Sequence, residues 1–434
     1  MRLVMLVAAF VCSVQHSSAQ SSEPILRGLS VYSANDETSF PALIRNHVDK
    51  DGKPVAGYGQ ITIQYDILAS TPPEMKIRFF HCNRDWKPDN NLFVNDNNHN
   101  GSFILTFVTS PGGVAGYNYR YVNKFPDADD AVRFDYSGNW IFKIMDKQES
   151  TLFAEGRFFV VDNVSPTNVS VTNDYLTANT SPYNQIHKIV ASVKMPDEID
   201  GDRYTTVDVY QNRRIYNAYR IDMWDKDPYT FVDGQGTGKR NFKIGNIMPG
   251  NEYRVLDLSN VTQYPNKSIA KNVNGADHVR LFWRTGADRN GSAVLNKFGG
   301  LNSDYLDVLF RLDITSGDYR SATSGGKELF LAGTFNFWNP TEADRLAYDN
   351  TERFYAVKKP LRRGIYDYQY VAGIWDAKTG TVLDQDWLAV EGNDWRTTNK
   401  YTVLVYYNDP RFGGFDRIVG IGHGSSVQAP PGSN

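Results

Sequence analysis

The chain has 434 residues, two cysteines and a formal net charge of -3, which leaves room for two or three domains of roughly 100 to 200 residues each. The near-balanced charge gives no sign of a polyanionic partner such as nucleic acid. Aromatic residues reach 13%, with 26 Tyr and 24 Phe, and sustained helical periodicity is hard to find, which favours an all-β fold.

Residues 1–19 have the pattern of a cleaved signal peptide. Arg2 supplies a positive start, residues 3–14 are apolar apart from one serine, and residues 17–19 form a small-residue cleavage site. A lipoprotein signal at Cys12 is the less favoured alternative, because a bulky valine precedes that cysteine. The sequence therefore predicts an exported protein.

Removal of this peptide leaves Cys82 as the one cysteine of the mature chain. A disulfide framework within the chain is then excluded, so apolar cores must stabilise the domains. No later stretch reaches the roughly 18 apolar residues that a membrane-spanning helix needs.

Residues 20–163 predict a first β-sandwich. Period-two alternation of apolar residues and sandwich-like spacing indicate strands at 60–67, 76–80, 103–108, 117–122, 140–145 and 157–161. Turn residues separate these segments, and residues 162–166 read as a linker.

Residues 164–299 predict a middle β-rich domain. Its expected strands are 189–194, 205–210, 241–244, 252–258 and 279–283. The glycine-rich run 233–238 is predicted to be a turn, because Lys239 is followed by Arg240 and no apolar helix pattern comes next, as a phosphate-binding loop would require.

Residues 300–421 predict a C-terminal β-sandwich, and residues 422–434 predict a disordered tail. Strands are expected at 307–313, 328–331, 354–357, 365–371 and 401–407, while 304–310 fits either a short helix or a strand. Tyr366, Tyr368 and Tyr370 should share one packed face, with Asp367 and Gln369 on the other. The fold class is thus all-β, with tandem β-sandwich domains of immunoglobulin-like or early-set-like type.

Residues with catalytic or metal-binding potential are scattered. The histidines lack metal-ligand spacing, and His81 and Cys82 are strand neighbours that should point to opposite faces. Acidic clusters at 127–130 and 225–227 could supply ligands for calcium or a carboxylate pair for glycoside hydrolysis, but their spacing favours solvated turns. The sequence predicts no catalytic residue, no metal site and no cofactor.

An aromatic segment near the C-terminus allows two interpretations. A short apolar strand, 329–332, runs into Gly333 and then an aromatic turn that ends at Trp338. Phe337, Trp338 and Trp375 could stack on sugar rings, as aromatic edges of sandwich domains do. The favoured interpretation is that Trp338 packs beneath the strand end.

The chain resembles the plug proteins of the type IX secretion system of Bacteroidetes. The segments that carry the resemblance lie in the family's order and span nearly the whole mature chain: 61–67, 81–86, 134–144, 333–338, 363–371, 399–407 and 415–420, with 251–258 more weakly similar. Each segment is weak alone, and the set together is specific.

The resemblance implies a non-catalytic periplasmic protein that seals the periplasmic opening of the outer-membrane translocon barrel when no substrate is engaged. Its partner would be that barrel, with no nucleic acid and no membrane span. The family offers no compact contact motif, so no interface residue is predicted. A glycan-binding protein is the main alternative; cargo of the same system, or an enzyme with a dispersed active site, are others.

Overall fold

The computed structural model describes residues 23–45, 59–129, 131–177, 184–197, 199–280, 288–315 and 319–426. The expected signal peptide lies outside these ranges, as do residues 427–434 of the expected tail. The described residues are almost entirely strands and connecting turns.

The strands are β1 Ile25–Ser33, β2 Ala42–Ile44, β3 Ile61–Leu68, β4 Met75–Cys82, β5 Ser102–Ile104, β6 Phe107–Thr109, β7 Tyr119–Phe125, β8 Gly138–Asp146, β9 Leu152–Val161, β10 Thr167–Tyr175, β11 Gln185–Lys194, β12 Thr206–Gln211, β13 Ala218–Asp222, β14 Thr230–Asp233, β15 Lys239–Ile247, β16 Arg254–Asp257, β17 Ile269–Lys271, β18 Asp277–His278, β19 Ala293–Val294, β20 Tyr305–Asp313, β21 Glu328–Gly333, β22 Ala347–Asp349, β23 Phe354–Arg362, β24 Ile365–Asp376, β25 Thr381–Asp386, β26 Lys400–Asp409 and β27 Phe415–Ser425. One α-helical turn, α1, spans Asn97–Asn100, and 3-10 turns span Gly201–Arg203, Gly300–Asn302, Tyr319–Gly326, Thr334–Asn336, Glu342–Asp344 and Arg411–Gly413.

The first domain is a sandwich of two sheets, with strand orders β1-β3-β7-β6 and β2-β9-β8-β4-β5. Alternate residues of β3, namely Ile61, Ile63, Tyr65 and Ile67, face the core between the sheets. The expected strand 103–108 is wrong as a single strand. It divides into β5 and β6, which belong to opposite sheets, because the chain crosses from one sheet to the other between them.

The middle domain is a second sandwich, built from the sheets β10-β11-β15-β14 and β13-β12-β26-β27. Its core joins residues from distant parts of the chain, such as Ile189, Val207 and Phe242 with Tyr401 and Val403. The last two strands therefore complete the middle domain.

The third domain is inserted between β15 and β26. In one of its sheets, β24 pairs with β16, β19, β21 and β25; the other has the order β17-β20-β23-β22, with β18 beside β20. The segment 304–310, which fitted either helix or strand, lies mostly in β20.

Two expected boundaries differ from this arrangement. The break at 299/300 falls inside the third domain, between β19 and β20, and the end at 421 falls inside β27, which runs to Ser425. The expected strand 279–283 is wrong at residues 279 and 280, which are not in a strand, and residues 281–283 lie outside the described ranges. Local pattern identified strands but could not show which distant strand completes which sheet.

The third domain covers the outer face of the sheet that contains β3. Tyr305 Oη donates to Asp66 Oδ2 at 2.9 Å, and the Tyr117 and Ser303 hydroxyls lie 2.8 Å apart. The polar residues of β3 that alternation predicts to be solvated are consequently buried; Gln64 and Asp66 are 4% and 2% exposed. Both faces of β3 are interior to the molecule.

Candidate partner-binding surface and the domain junctions

Trp338, expected either to stack on a sugar or to pack beneath its loop, is packed. Its side chain is 1% exposed, its Nε1 donates to Gly291 O at 2.9 Å, and its ring centre lies 4.4 Å from that of Tyr253. The guanidinium of Arg214, from the middle domain, lies 5.9 Å from the Trp338 ring and 4.1 Å from the Trp387 ring. Trp338 is thus one wall of an aromatic cage that holds an arginine.

Phe337 and Trp375, the other two sugar candidates, do not form a platform with Trp338. Phe337 is half-buried and packs against the core of the first domain, whereas Trp375 packs against the cluster that contains Trp338. Phe337 and Trp338 both have left-handed backbones, with φ of 54° and 59°. This conformation costs of order 1 kcal/mol or more per residue, and the packing around the two rings must offset that cost. The aromatic turn docks the third domain onto its neighbours.

The tyrosines of β24 share one packed face, as expected. Tyr368 and Tyr370 donate from their hydroxyls to Asp277 Oδ2 at 3.0 and 2.8 Å. Asp277 pairs with Arg254 at 3.1 Å, and Arg254 also pairs with Glu391 at 3.0 Å. This buried network fixes the sheets of the third domain against each other.

The opposite face of β24 is also covered. Asp367 Oδ2 accepts from the backbone N–H of Arg289 at 2.6 Å and of Gly291 at 3.0 Å. Gln369 Oε1 accepts from Nη2 of the caged Arg214 at 3.2 Å. Arg214 of the middle domain therefore contacts β24, the central strand of one sheet of the third domain.

His81 and Cys82 point in different directions, as the strand geometry predicts. His81 Nδ1 lies 2.6 Å from Asp89 Oδ2 and its Nε2 lies 3.0 Å from Ser137 O, while the imidazole packs edge-on against Phe415 of β27 at 5.9 Å. Burial raises the pKa of the Cys82 thiol to about 12. The pair serves structure, and no thiolate-imidazole chemistry is available here.

Two of the segments that carried the family resemblance, 81–86 and 415–420, meet where the first and middle domains touch. The backbone N–H of Arg84 donates to Asp416 Oδ2 at 2.9 Å. Arg417 reaches back to Asp162 of the first domain at 2.5 Å and pairs with Asp409 at 2.9 Å. Segments 81–86 and 415–420 are thus the two sides of one interface.

In each acidic cluster considered as a calcium or hydrolase site, one aspartate caps a turn. Asp127 Oδ1 accepts from Val132 N at 2.6 Å, and Asp227 Oδ1 accepts from Tyr229 N at 2.8 Å. Asp130 lies outside the described residues. Within those residues, no group of three or more His, Cys, Asp or Glu side chains is placed to hold a metal ion.

A comparison with known families bears on the first of these domains. Residues 42–162 match the family model described as the first domain of the type 9 secretion system plug protein. The first domain belongs to this plug family. The match covers strands β2 to β9 of the sandwich, including the 81–86 and 134–144 segments, and it confirms the family that the sequence resembles.

Among solved structures, the chain is similar to a hypothetical protein from Parabacteroides merdae ATCC 43184. The TM-score is 0.71 with 20% identity, covering 92% of this chain and 97% of that one, so the likeness concerns the fold alone. A tetra-tandem repeat of a large adhesion protein (TM-score 0.15, 10% identity, 84% of this chain and 69% of that chain) and the C-terminal domain of Streptococcus pyogenes AspA (TM-score 0.11, 7% identity, 92% and 98%) carry no argument. No curated protein matches the chain by sequence. No helix in the described part of the chain has the length and apolar character to cross a membrane.

The plug-family domain contributes to an exposed aromatic patch, which we define as Leu92, Phe93 and Phe412. These residues are 76%, 69% and 44% exposed. The Phe93 and Phe412 rings stack at 5.2 Å with an interplanar angle of 15°, and Asn91 Nδ2 donates to Phe412 O at 2.7 Å. Exposed large apolar side chains grouped in this way are typical of protein-binding surfaces.

The aromatic patch was not identified from sequence. Phe93 and Phe412 are 319 residues apart and become neighbours because β27 docks against the plug-family domain. Phe412 lies in the turn Arg411–Gly413, between β26 and β27. Arg214, the caged residue, also gave no sequence signal, because isolated arginines are ordinary surface residues.

Proposed function

We propose that the protein is a non-catalytic plug that seals the periplasmic opening of the type IX outer-membrane translocon while no substrate is engaged. The observation that carries this proposal is the match of residues 42–162 to the plug-protein family. A barrel wide enough for folded cargo would leak unless a partner closed it. On this proposal the chain is exported by its N-terminal segment and acts in the periplasm.

The docking of the three domains supports this role. A seal must resist deformation, and here the third domain binds the first through Tyr305 and Asp66, while Arg214 of the middle domain enters the aromatic cage of the third. Buried, hydrogen-bonded junctions of this kind hold packed domains in one arrangement. The molecule is suited to bind by surface complementarity.

The aromatic patch is the proposed contact with the translocon barrel. It is carried on the plug-family domain, it extends onto the middle domain, and its rings are desolvated only when a partner covers them. We expect Phe93→Ser with Phe412→Ser to reduce co-purification of the barrel at least tenfold. Tyr348→Ser is the matched control. Tyr348 lies on the third domain, and its side chain is 44% exposed, as is that of Phe412.

The function itself is tested by deleting the gene and measuring uptake of a large, normally excluded antibiotic. We expect increased uptake in cells whose translocon is empty, restored by the wild-type gene and not by the Phe93/Phe412 variant. Absence of a leak would contradict the plug role. Retention of the protein on an α-glucan column would favour glycan binding instead.

A further inference from the structure

A cavity of about 250 Å³ lies where all three domains meet. Strand β1 of the first domain, the end of β23 and the aromatic turn of the third domain, and Arg213 of the middle domain line it. Leu29, Leu295 and Phe337 are among its apolar walls. A concave, mostly apolar site at a domain junction is the usual setting of a small-molecule site.

The polar lining of this cavity is dominated by three guanidinium groups. Arg27 donates to Gly116 O at 2.9 Å, Arg213 donates to Glu37 O and Val31 O, both at 2.8 Å, and Arg362 donates to Leu295 O and Phe298 O at 3.0 and 2.9 Å. All these acceptors are neutral backbone carbonyls. Among the residues that the structure describes, no carboxylate forms an ion pair with any of the three arginines.

The carboxylates near the cavity are engaged elsewhere. The Glu37 carboxylate accepts from the backbone N–H groups of Leu295 and Asn296 at 2.9 to 3.0 Å. Lys359, a fourth cation in the lining, pairs with Asp344 at 2.7 Å. The lining therefore carries more positive charge than its own acidic group can balance.

Two of these guanidiniums also have unused donors. The Nε atoms of Arg27 and Arg362 are buried and have no hydrogen-bond partner among the described residues. Arg362 as a whole is 3% exposed. A buried donor without an acceptor, and above all one that carries charge, is costly and uncommon in folded proteins. An anionic ligand would supply the missing acceptor.

We propose that this cavity binds an amphiphilic monocarboxylate, with its carboxylate on Arg27 and Arg362 and its aliphatic chain along Leu29 and Phe337. At roughly 30 Å³ for each water-sized group, the cavity holds about eight such groups, which accommodates the carboxylate and most of the chain of a ten-carbon fatty acid. This inference is independent of the proposed plug function.

Binding at this position has a structural consequence. The ligand would contact the first domain through Arg27 and Leu29 and the third domain through Arg362 and Phe337, so it would bind these domains docked together and not separated. A ligand that binds only one state stabilises that state in proportion to its concentration. The site would thereby link the ligand to the rigidity of the molecule.

The test is a titration of the purified full-length mature protein with decanoate, kept below its micelle-forming concentration, followed by calorimetry and by thermal unfolding. We expect saturable one-to-one binding and a rise in the unfolding temperature. Decanol has the same chain without the charge, and decyltrimethylammonium has the opposite charge. Both should bind at least about tenfold more weakly, because a hydrogen-bonded charge contributes more than 1.4 kcal/mol.

Two variants on β1 test the location. Arg27→Gln should weaken decanoate binding about tenfold, and Leu29→Glu should abolish it by placing a carboxylate in the cavity. Arg345→Gln, at an exposed arginine of the third domain, is the matched control and should bind as wild type. Circular dichroism and the ligand-free unfolding temperature establish whether each variant is folded. If Arg27→Gln does not fold, Leu29→Glu alone tests the location of the site.

Three results of these experiments would contradict the proposed carboxylate site. Undetectable binding of decanoate to the wild-type protein, equal affinity for decanol, or unchanged affinity in the folded β1 variants would each overturn the proposal. None of these outcomes depends on a translocon being present, so they leave the plug function to its own tests.

Discussion

Replacing Arg220 with alanine removes a charge that joins the first and middle domains. Arg220 lies on β13 and binds Asp208 with two hydrogen bonds, Nε to Oδ1 at 2.8 Å and Nη2 to Oδ2 at 3.1 Å. Its guanidinium also reaches the first domain, where it pairs with Asp85 and donates to Arg84 O at 2.8 Å. One side chain therefore supports both the middle sheet and the domain junction.

The expected cost follows from the burial of Asp208, which is 1% exposed. Burial raises the pKa of Asp208, and Arg220 offsets that desolvation while it remains. Breaking a buried ion pair by removal of one partner costs about 3–5 kcal/mol. Because 34% of the Arg220 side chain is exposed and water compensates part of the loss, we expect the lower end, about 3 kcal/mol.

The assay is urea unfolding of wild type, Arg220→Ala, Asp208→Asn and the double variant. The double variant should recover part of the loss, because the asparagine leaves no buried charge, and the cycle should give a coupling energy of about 1–3 kcal/mol. Asp85→Asn is the control for the exposed partner, 50% exposed, and should cost less than about 1 kcal/mol.

A loss below about 1 kcal/mol in Arg220→Ala, or no recovery in the double variant, would refute the reasoning. Either result would mean that Asp208 is solvated or protonated in the native protein. Arg220→Lys separates charge from geometry, because lysine retains the positive charge and cannot form the paired hydrogen bonds.

Three further predictions concern individual side chains. Trp338→Ala should cost about 3–5 kcal/mol in urea unfolding, whereas a surface sugar platform would lose almost nothing. Burial, followed by the charge of Asp288, raises the pKa of Asp367 from 3.8 to about 7, so the folded state keeps a proton that the unfolded chain releases near pH 4. That stabilisation is complete below about pH 4 and is lost as pH rises through about 7. Asp367→Asn should therefore flatten the decline in unfolding free energy between about pH 4 and about pH 7, and an unchanged profile would contradict this assignment. Cys82, buried and with a pKa of about 12, should resist alkylation in the native protein and react fully in urea, as peptide mass spectrometry would show.

The aromatic cage around Arg214 depends on non-local contacts. Arg214 is caged by Tyr253, Trp338 and Trp387, residues that are scattered along more than 130 positions and show no shared spacing. Sequence inspection could mark Trp338 as notable and could favour packing over sugar binding. It could not identify the arginine that fills the space beside it.

The sequence by itself determined most of the strands and the family that the first domain resembles. Alternation along 61–67 and 365–371 depends only on the period of a strand, and the segment around His81 could be recognised without a structure. The tertiary structure alone decided that β26 and β27 complete the middle domain, and that Gln64 and Asp66 are buried. The physical reason is that period-two alternation is local, whereas sheet partners and covered faces are set by contacts between residues hundreds of positions apart.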